Sequence, residues 1–241
     1  MSSSTANLVM RSLRKLSILS LVAIALMGGV SYFRASQSAA NTSVAMVHKV
    51  FPDPATDMPA TKVSIVQTAV FAGGCFWGVE AVFEHLKGVS DVVSGYSGGS
   101  AETAHYGLVS FGQTGHAESV KITYDPTQIT YGQLLKVYFA VAHDPTQLNR
   151  QGPDSGTQYR SAIFFANNEE KQVAQAYIDQ LNQAHVFQKP IATQIAPLTG
   201  FYAAETEHQN FIVNHPNHPY VVIHDLPKLD QLKTKFAALY Q

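Results

Sequence analysis

A short apolar run, Gln67–Ala72, ends in Gly73-Gly74, and Cys75, Phe76 and Trp77 follow at once. Beyond Trp77, apolar residues recur at Val79, Val82, Phe83 and Leu86, and Gly88 closes the pattern. The first run reads as a buried strand and the second as a helix with one apolar face. The chain is therefore committed to a strand, a two-glycine turn and a helix that packs back on the sheet. Cys75 sits in the junction, and it is the only cysteine of the 241 residues. A helix N-terminus offers free backbone N–H groups and the positive end of the dipole, so this position predicts a thiol with a depressed pKa. The two glycines let the backbone turn and let a substrate approach closely. A lone cysteine is more often an inert small hydrophobe; this placement argues for a nucleophile instead.

The remaining pattern interleaves strands and helices. Val89–Tyr96 reads as a strand before Ser97-Gly98-Gly99, and Ser119–Tyr124 alternates with period two up to Asp125-Pro126. Thr130 caps an apolar helix running to about Ala142, and Ser161–Ala166 is a further strand. Asn168 to Ala184 is an amphipathic helix with Glu169 and Glu170 in its first turn, where the dipole favours acids. Ile191–Ile195 reads as a strand, and Glu205–Val213 and Lys228–Leu239 read as helices. Without strict βαβ regularity the expected class is α+β, a two-layer plait of mixed sheet and helices in one catalytic domain.

That domain spans residues 65–241. The first forty residues differ from it. Arg11, Arg14 and Lys15 precede an uncharged run of eighteen residues, Leu16 to Phe33, and Ser38-Ala39-Ala40 offers small residues for cleavage. This is the pattern of a signal peptide over residues 1–40, and the run 16–33 also suffices for a membrane anchor. An exported, extracytoplasmic protein is expected, soluble or held by its N-terminus. Residues 41–64, with Pro52, Pro54 and Pro59, read as a linker. Removing residues 1–40 takes four of the sixteen basic residues and none of the seventeen acidic ones, which leaves a net charge of −5. Such a chain has no basic field for nucleic acid. An odd thiol in an exported protein is either intermolecular or reactive.

GCFWG (Gly74–Gly78), GYSGG (Gly95–Gly99), TGHAE (Thr114–Glu118), HDPTQLNRQGPDSGTQYRS (His143–Ser161) and HPNHPYVVIHDLPKL (His215–Leu229) occur in that order. Together they resemble the peptide methionine sulfoxide reductase A family, over about Val66 to Leu229. The resemblance implies that Cys75 is the catalytic cysteine. It implies that Phe76 and Trp77 wall a pocket for the substrate methyl group, and that Glu118 is the acid beside the sulfoxide oxygen. Tyr106 and Tyr159 match the two hydroxyls that bind this oxygen, and Asp154 matches a supporting carboxylate. No cofactor or metal is implied. The substrates would be oxidised proteins and free methionine sulfoxide, in the S epimer, since the two epimers have separate enzymes.

The chemistry fits these residue types. A thiolate attacks the partly positive sulfur of a sulfoxide if the oxygen is protonated as it leaves. A glutamic acid in a partly apolar pocket keeps its proton near neutrality. Two phenols stabilise developing negative charge without adding any. Methionine is released and Cys75 becomes a sulfenic acid. Many family members carry further cysteines near the C-terminus that resolve this acid and pass a disulfide to thioredoxin. This chain carries none, so an external thiol of thioredoxin, glutaredoxin or small-molecule type is expected. Two other readings compete. A cysteine hydrolase would need a histidine base near Cys75, with His116 and His143 as candidates. A metal site would draw on His208, His215, His218 and His224, but Pro216 and Pro219 keep the last three off one helix face, and no cysteine stands at ligand spacing.

Overall fold

The computed structural model describes residues 51–59 and 65–241. The signal or anchor expected over residues 1–40, and most of the linker expected over 41–64, lie outside these residues. No helix among the described residues is long and apolar enough to cross a membrane.

The chain runs through β1 (Gln67–Gly73), α1 (Phe76–Glu84), β2 (Val89–Ser97), α2 (Tyr106–Val109), β3 (Ala117–Tyr124) and α3 (Tyr131–Val137). A small hairpin follows, β4 (Arg150–Gln151) and β5 (Asp154–Ser155), then β6 (Ser161–Phe165) and α4 (Asn168–Gln183). β7 (Gln194–Pro197), β8 (Phe201–Ala203), α5 (Phe211–Asn214) and α6 (Leu226–Lys235) complete it. The main sheet has the order β7-β6-β1-β3-β2-β8, with β6 and β7 parallel and the other neighbours antiparallel. Its centre, β1-α1-β2-β3-α3-β6 in the order β6-β1-β3-β2, is a split βαβ plait. The α+β expectation agrees with this architecture.

β1, at the centre of the sheet, is buried on both faces, which is why it reads as a continuous apolar run rather than an alternation. Ala69 and Phe71 join the large core shared with Val79, Val82 and Phe83 of α1 and with Leu134 and Leu135 of α3. Val70 and Ala72 point the other way, to Ala117, Ala162 and Phe164. In β3, Val120 and Ile122 belong to the large core with α1. Period two therefore places Glu118 on that face as well, beneath the helix that Cys75 begins.

Thr130 caps α3 through a reciprocal box, accepting from Gln133 N–H at 3.1 Å while the Gln133 side chain accepts from Thr130 N–H at 2.9 Å. Beyond Val137 the helix widens into a π-helical turn, Tyr138–Ala142. From it the Tyr138 hydroxyl donates to the Ala72 carbonyl at 2.7 Å, fixing β1 just before the glycine turn.

Three elements depart from the expectations. The strand expected over Ile191–Ile195 begins at Gln194, because Ala192 N–H is already held by the Pro145 carbonyl at 2.7 Å. The helix expected over Glu205–Val213 is broken. A 3-10 turn, Thr206–His208, is followed by Asn210 in the left-handed region at φ 51°, and only then by α5. Side chains hold the break: Gln209 bonds the N–H and carbonyl of Ser94, and Glu80 accepts from Asn210 N–H at 3.1 Å. The last helix starts two residues early at Leu226 and stops at Lys235, after which the chain folds back so that Tyr240 bridges Leu86. Edge strand β8 was not foreseen.

Residues 51–59, from the stretch expected to be a linker, lie against α3 and α4. Asp57 accepts from the Thr130 hydroxyl at 2.5 Å and from Gly132 N–H at 2.7 Å. Asp53 pairs with Lys136 at 2.6 Å, and the Pro52 carbonyl accepts from the Tyr177 hydroxyl at 2.7 Å.

Candidate active site

The junction between β1 and α1 sets the site. Cys75 is the N-cap of α1, with φ −53° and ψ 123°. Gly74 before it adopts φ 91°, and a Cβ there would meet the Gln151 Cβ at 2.5 Å. A side chain at this position is thus excluded by both backbone and space. From the first turn of the helix, Phe76 N–H donates to Glu118 Oε2 at 3.1 Å. The helix N-terminus therefore joins the thiol and the acid physically.

Cys75, Phe76, Trp77, Tyr106, Glu118, Asp154 and Tyr159 line one cavity of about 210 Å³, together with His218 and Tyr220. Cys75, Phe76 and Trp77 come from the start of α1, Glu118 from β3, and the others from segments remote in sequence. Tyr106 opens α2, and its backbone N–H donates to Glu205 Oε1 at 2.8 Å. Glu205 also accepts from the Tyr96 hydroxyl at 2.8 Å, so the tyrosine is tied to the centre of the sheet. Tyr159 ends the 3-10 turn Thr157–Tyr159. Asp154 lies in β5 and accepts from the Tyr220 hydroxyl.

Burial dominates the electrostatics. Glu118 is 2 % exposed, and desolvation carries its pKa to about 8. The Phe76 N–H opposes this shift and the Asp154 charge adds to it. Glu118 is consequently a neutral acid at pH 7, as its residue type in an apolar pocket suggested. The depressed thiol expected for Cys75 is overturned. Desolvation pushes it well above the ordinary cysteine range, with Glu118 and Asp225 adding to the shift. One N–H from Trp77 and the charge of Lys228 work the other way and do not offset burial. Desolvation also raises Tyr106 and Tyr159, which keeps both phenols as hydrogen-bond donors.

Trp77 is clamped. Phe211 stacks on the indole with centroids 3.5 Å apart, and Tyr220 stands edge-on at 5.9 Å. The indole N–H donates to His208 Nδ1 at 3.3 Å, and the His208 ring rests on Tyr106 at 4.3 Å. Of the histidines weighed as metal ligands, His208 and His218 pack on Trp77, His218 edge-on at 6.0 Å, while His215 lies against Phe211 and His224 against Tyr220. Among the described residues no three His, Cys, Asp or Glu side chains are grouped to hold a metal ion. The two candidate bases are committed elsewhere. His116 bridges Gly99 N–H and the Ser100 carbonyl, and His143 bridges the Tyr138 carbonyl and the Ser161 hydroxyl. Burial pushes His143 down to about 3, so it is neutral.

Tyr220 and Phe211 escaped the residue-by-residue reading. Tyr220 stands in the block HPNHPYVV, where its place was the only signal. Phe211 was hidden inside the helix expected over Glu205–Val213.

A half-buried thiol beside a neutral carboxyl and two phenols defines a thiol-based centre that can attack a polar, oxygen-bearing atom while protonating the oxygen. A family profile described as peptide methionine sulfoxide reductase matches residues 67–239. The chain belongs to this family of oxidoreductases. It is 61% identical over 174 residues to peptide methionine sulfoxide reductase MsrA 2 of Mesorhizobium japonicum, covering 72% of this chain and 89% of that one. It is 55% identical over 191 residues to peptide methionine sulfoxide reductase MsrA 2 of a Synechocystis species, covering 78% and 89%. Among solved structures, Mxr1 of Saccharomyces cerevisiae in reduced form aligns with a TM-score of 0.59 at 32% identity, over 68% of this chain and 91% of that one. Methionine sulfoxide reductase A of Corynebacterium diphtheriae aligns at 0.56 and 35%, over 67% and 78%.

Proposed function

We propose that the chain reduces the S epimer of methionine sulfoxide, free or in polypeptides, by direct attack of Cys75 on the sulfoxide sulfur. The observation that carries this reading is the convergence of the Cys75 thiol, the neutral Glu118 carboxyl and the Tyr106 and Tyr159 phenols on one cavity walled by Phe76 and Trp77. The methyl group sits against the aromatic wall. The oxygen faces Glu118 and the phenols.

At pH 7 both Cys75 and Glu118 hold their protons. The resting thiol is thus a poor nucleophile, and substrate must change that. A sulfoxide oxygen that accepts the Glu118 proton makes its sulfur electrophilic and leaves Glu118 a base for the thiol proton. Sγ then bonds to sulfur and the sulfur–oxygen bond breaks; the oxygen, carrying a proton, next bonds to Sγ as the Sγ–sulfur bond breaks and methionine leaves. Methionine sulfur gains two electrons and Sγ loses two. The oxygen and one proton finish on Cys75 as a sulfenic acid, with no net proton consumed. Asp154, joined to Tyr220, supports the charge arrangement at the rim. An external thiol then attacks the sulfenic sulfur and expels water, and a second thiol releases Cys75 from the mixed disulfide. Cys75 is the single cysteine of the 241 residues, which favours this intermolecular route. We also infer export, from the basic and apolar pattern of residues 11–33; finding the protein in a cytoplasmic fraction would remove that inference.

The test is a single turnover on purified protein with racemic methionine sulfoxide and no added thiol. One equivalent of methionine per enzyme, loss of the S epimer alone, and a sulfenic acid trapped at Cys75 are expected. No methionine from a folded protein with a free thiol would overturn the reading.

A further inference from the structure

Asp225 has no exposed surface, and its Oδ1 pairs with Lys228 Nζ at 3.1 Å. The pair comes from the π-helical turn Val221–Asp225 and the start of α6, both remote in sequence from Cys75. It lies flat against the first turn of α1. A Cβ on Gly78 would collide with Asp225 Oδ1 and meet Lys228 Nζ at 2.7 Å. The last glycine of GCFWG is therefore the space this ion pair occupies. Gly78 is three residues beyond Cys75, which places the two on one side of the helix a turn apart. Asp225 Oδ2 is buried without a hydrogen-bond partner. Burying a carboxylate this way costs stability.

We propose that Asp225 and Lys228 are a positioning pair of the reductase site, two opposite charges packed on Gly78 one helical turn from Cys75 that together set the protonation of its thiol. The two act with opposite sign: Asp225 opposes the thiolate and Lys228 favours it. The other groups facing the thiol differ in kind. Glu118 comes from β3, Tyr106 from α2, Asp154 and Tyr159 from the 154–159 segment, and His218 and Tyr220 from the loop ahead of the pair. Among those that act on the thiol, Lys228 alone supplies positive charge favouring the thiolate. The inference rests on the reductase reading for its meaning, but its test reads the thiol itself and stands apart from turnover.

The experiment measures the pH dependence of Cys75 alkylation by iodoacetamide in the full chain, followed by mass spectrometry. Asp225→Asn removes the repulsive charge and leaves Lys228 uncompensated, so the midpoint should fall by roughly one pH unit, about tenfold in thiolate at a fixed pH. Adding Lys228→Met to that variant should return the midpoint toward the wild-type value. A merely structural pair would lower melting temperature in both variants and leave the midpoints equal, and that result would overturn the proposal. If Asp225→Asn does not fold, Lys228→Met alone is read between pH 8 and 10; slower alkylation than wild type supports the pair, and an unchanged rate overturns it.

Discussion

The indole of Trp77 and the ring of Phe211 stack at 3.5 Å between centroids, within 5° of parallel. Phe211 occupies this place because Asn210 turns the chain through a left-handed conformation and Glu80 holds Asn210 N–H. One wall of the cavity is thus fixed by contacts that span 130 and 131 residues of sequence. Phe211→Ala removes the stacking partner and leaves Trp77 free to rotate. The expected outcome is a KM for methionine sulfoxide raised about tenfold with a smaller change in kcat, and a stability loss of about 1–2 kcal/mol. Steady-state kinetics and a thermal melt measure both. An unchanged KM would mean that His208 and Tyr220 hold the indole without help.

Glu118→Gln separates activity from stability. The variant keeps the shape and loses the proton, so kcat should fall by about 10²–10⁴. In the wild type the acid works while protonated, and its pKa of about 8 places the fall of kcat/KM on the alkaline side of neutrality. In the variant that limb should vanish. Stability moves the other way. The folded pKa lies above the unfolded value near 4.5, so the unfolded chain releases this proton first as pH rises. The carboxyl is then harmless to the fold below about pH 4.5 and costs it progressively up to pH 8, on the order of 3 kcal/mol at pH 7. The glutamine variant should therefore melt higher than wild type at pH 7.5 and lose that advantage at pH 4. A lower melting temperature at pH 7.5 would show that the carboxyl is ionised and paired.

The thiol offers a separate check. Burial raises Cys75, so iodoacetamide should modify the free enzyme at pH 7 more slowly than an ordinary exposed cysteine. Cys75→Ser should abolish reduction. An alkylation midpoint below about 7.5 would restore the expectation drawn from the helix N-terminus.

That expectation marks where sequence reading stops. The strand, the glycine turn and the helix were legible because each has a local signature, and so was the position of Cys75 at the helix start. Whether the N-terminus or desolvation decides the thiol is a sum over Glu118, Asp225 and the packed rings, which converge only in the folded chain. Glu118 illustrates the same limit. The alternation SVKITY begins one residue after it, and nothing local marks a carboxyl that faces the core. Its motif located it. Phe211 was lost because Glu205–Val213 has helical composition, and the break at Asn210 is imposed by the Glu80 and Gln209 side chains. Asp225 went unread because it lies ahead of the helix expected from Lys228, and its partner surface is a glycine, which no local pattern marks.

The prolines at 52, 54 and 59 argued for a linker, yet Asp57 between them bonds both the Thr130 hydroxyl and Gly132 N–H. It adds a second acceptor to the N-terminus of α3, where the first N–H groups have no partner within the helix. α3 runs into the π-helical turn whose Tyr138 holds β1 beside the glycine turn. Asp57→Ala should therefore cost about 1 kcal/mol of stability, the usual effect of losing a capping side chain. Single-turnover methionine formation at 25 °C should stay unchanged, because the effect acts through the frame and not through the cavity. Chemical denaturation with the same slope and a lower midpoint is the expected measurement. An unchanged midpoint would mean that Thr130 and Gln133 satisfy this helix end alone.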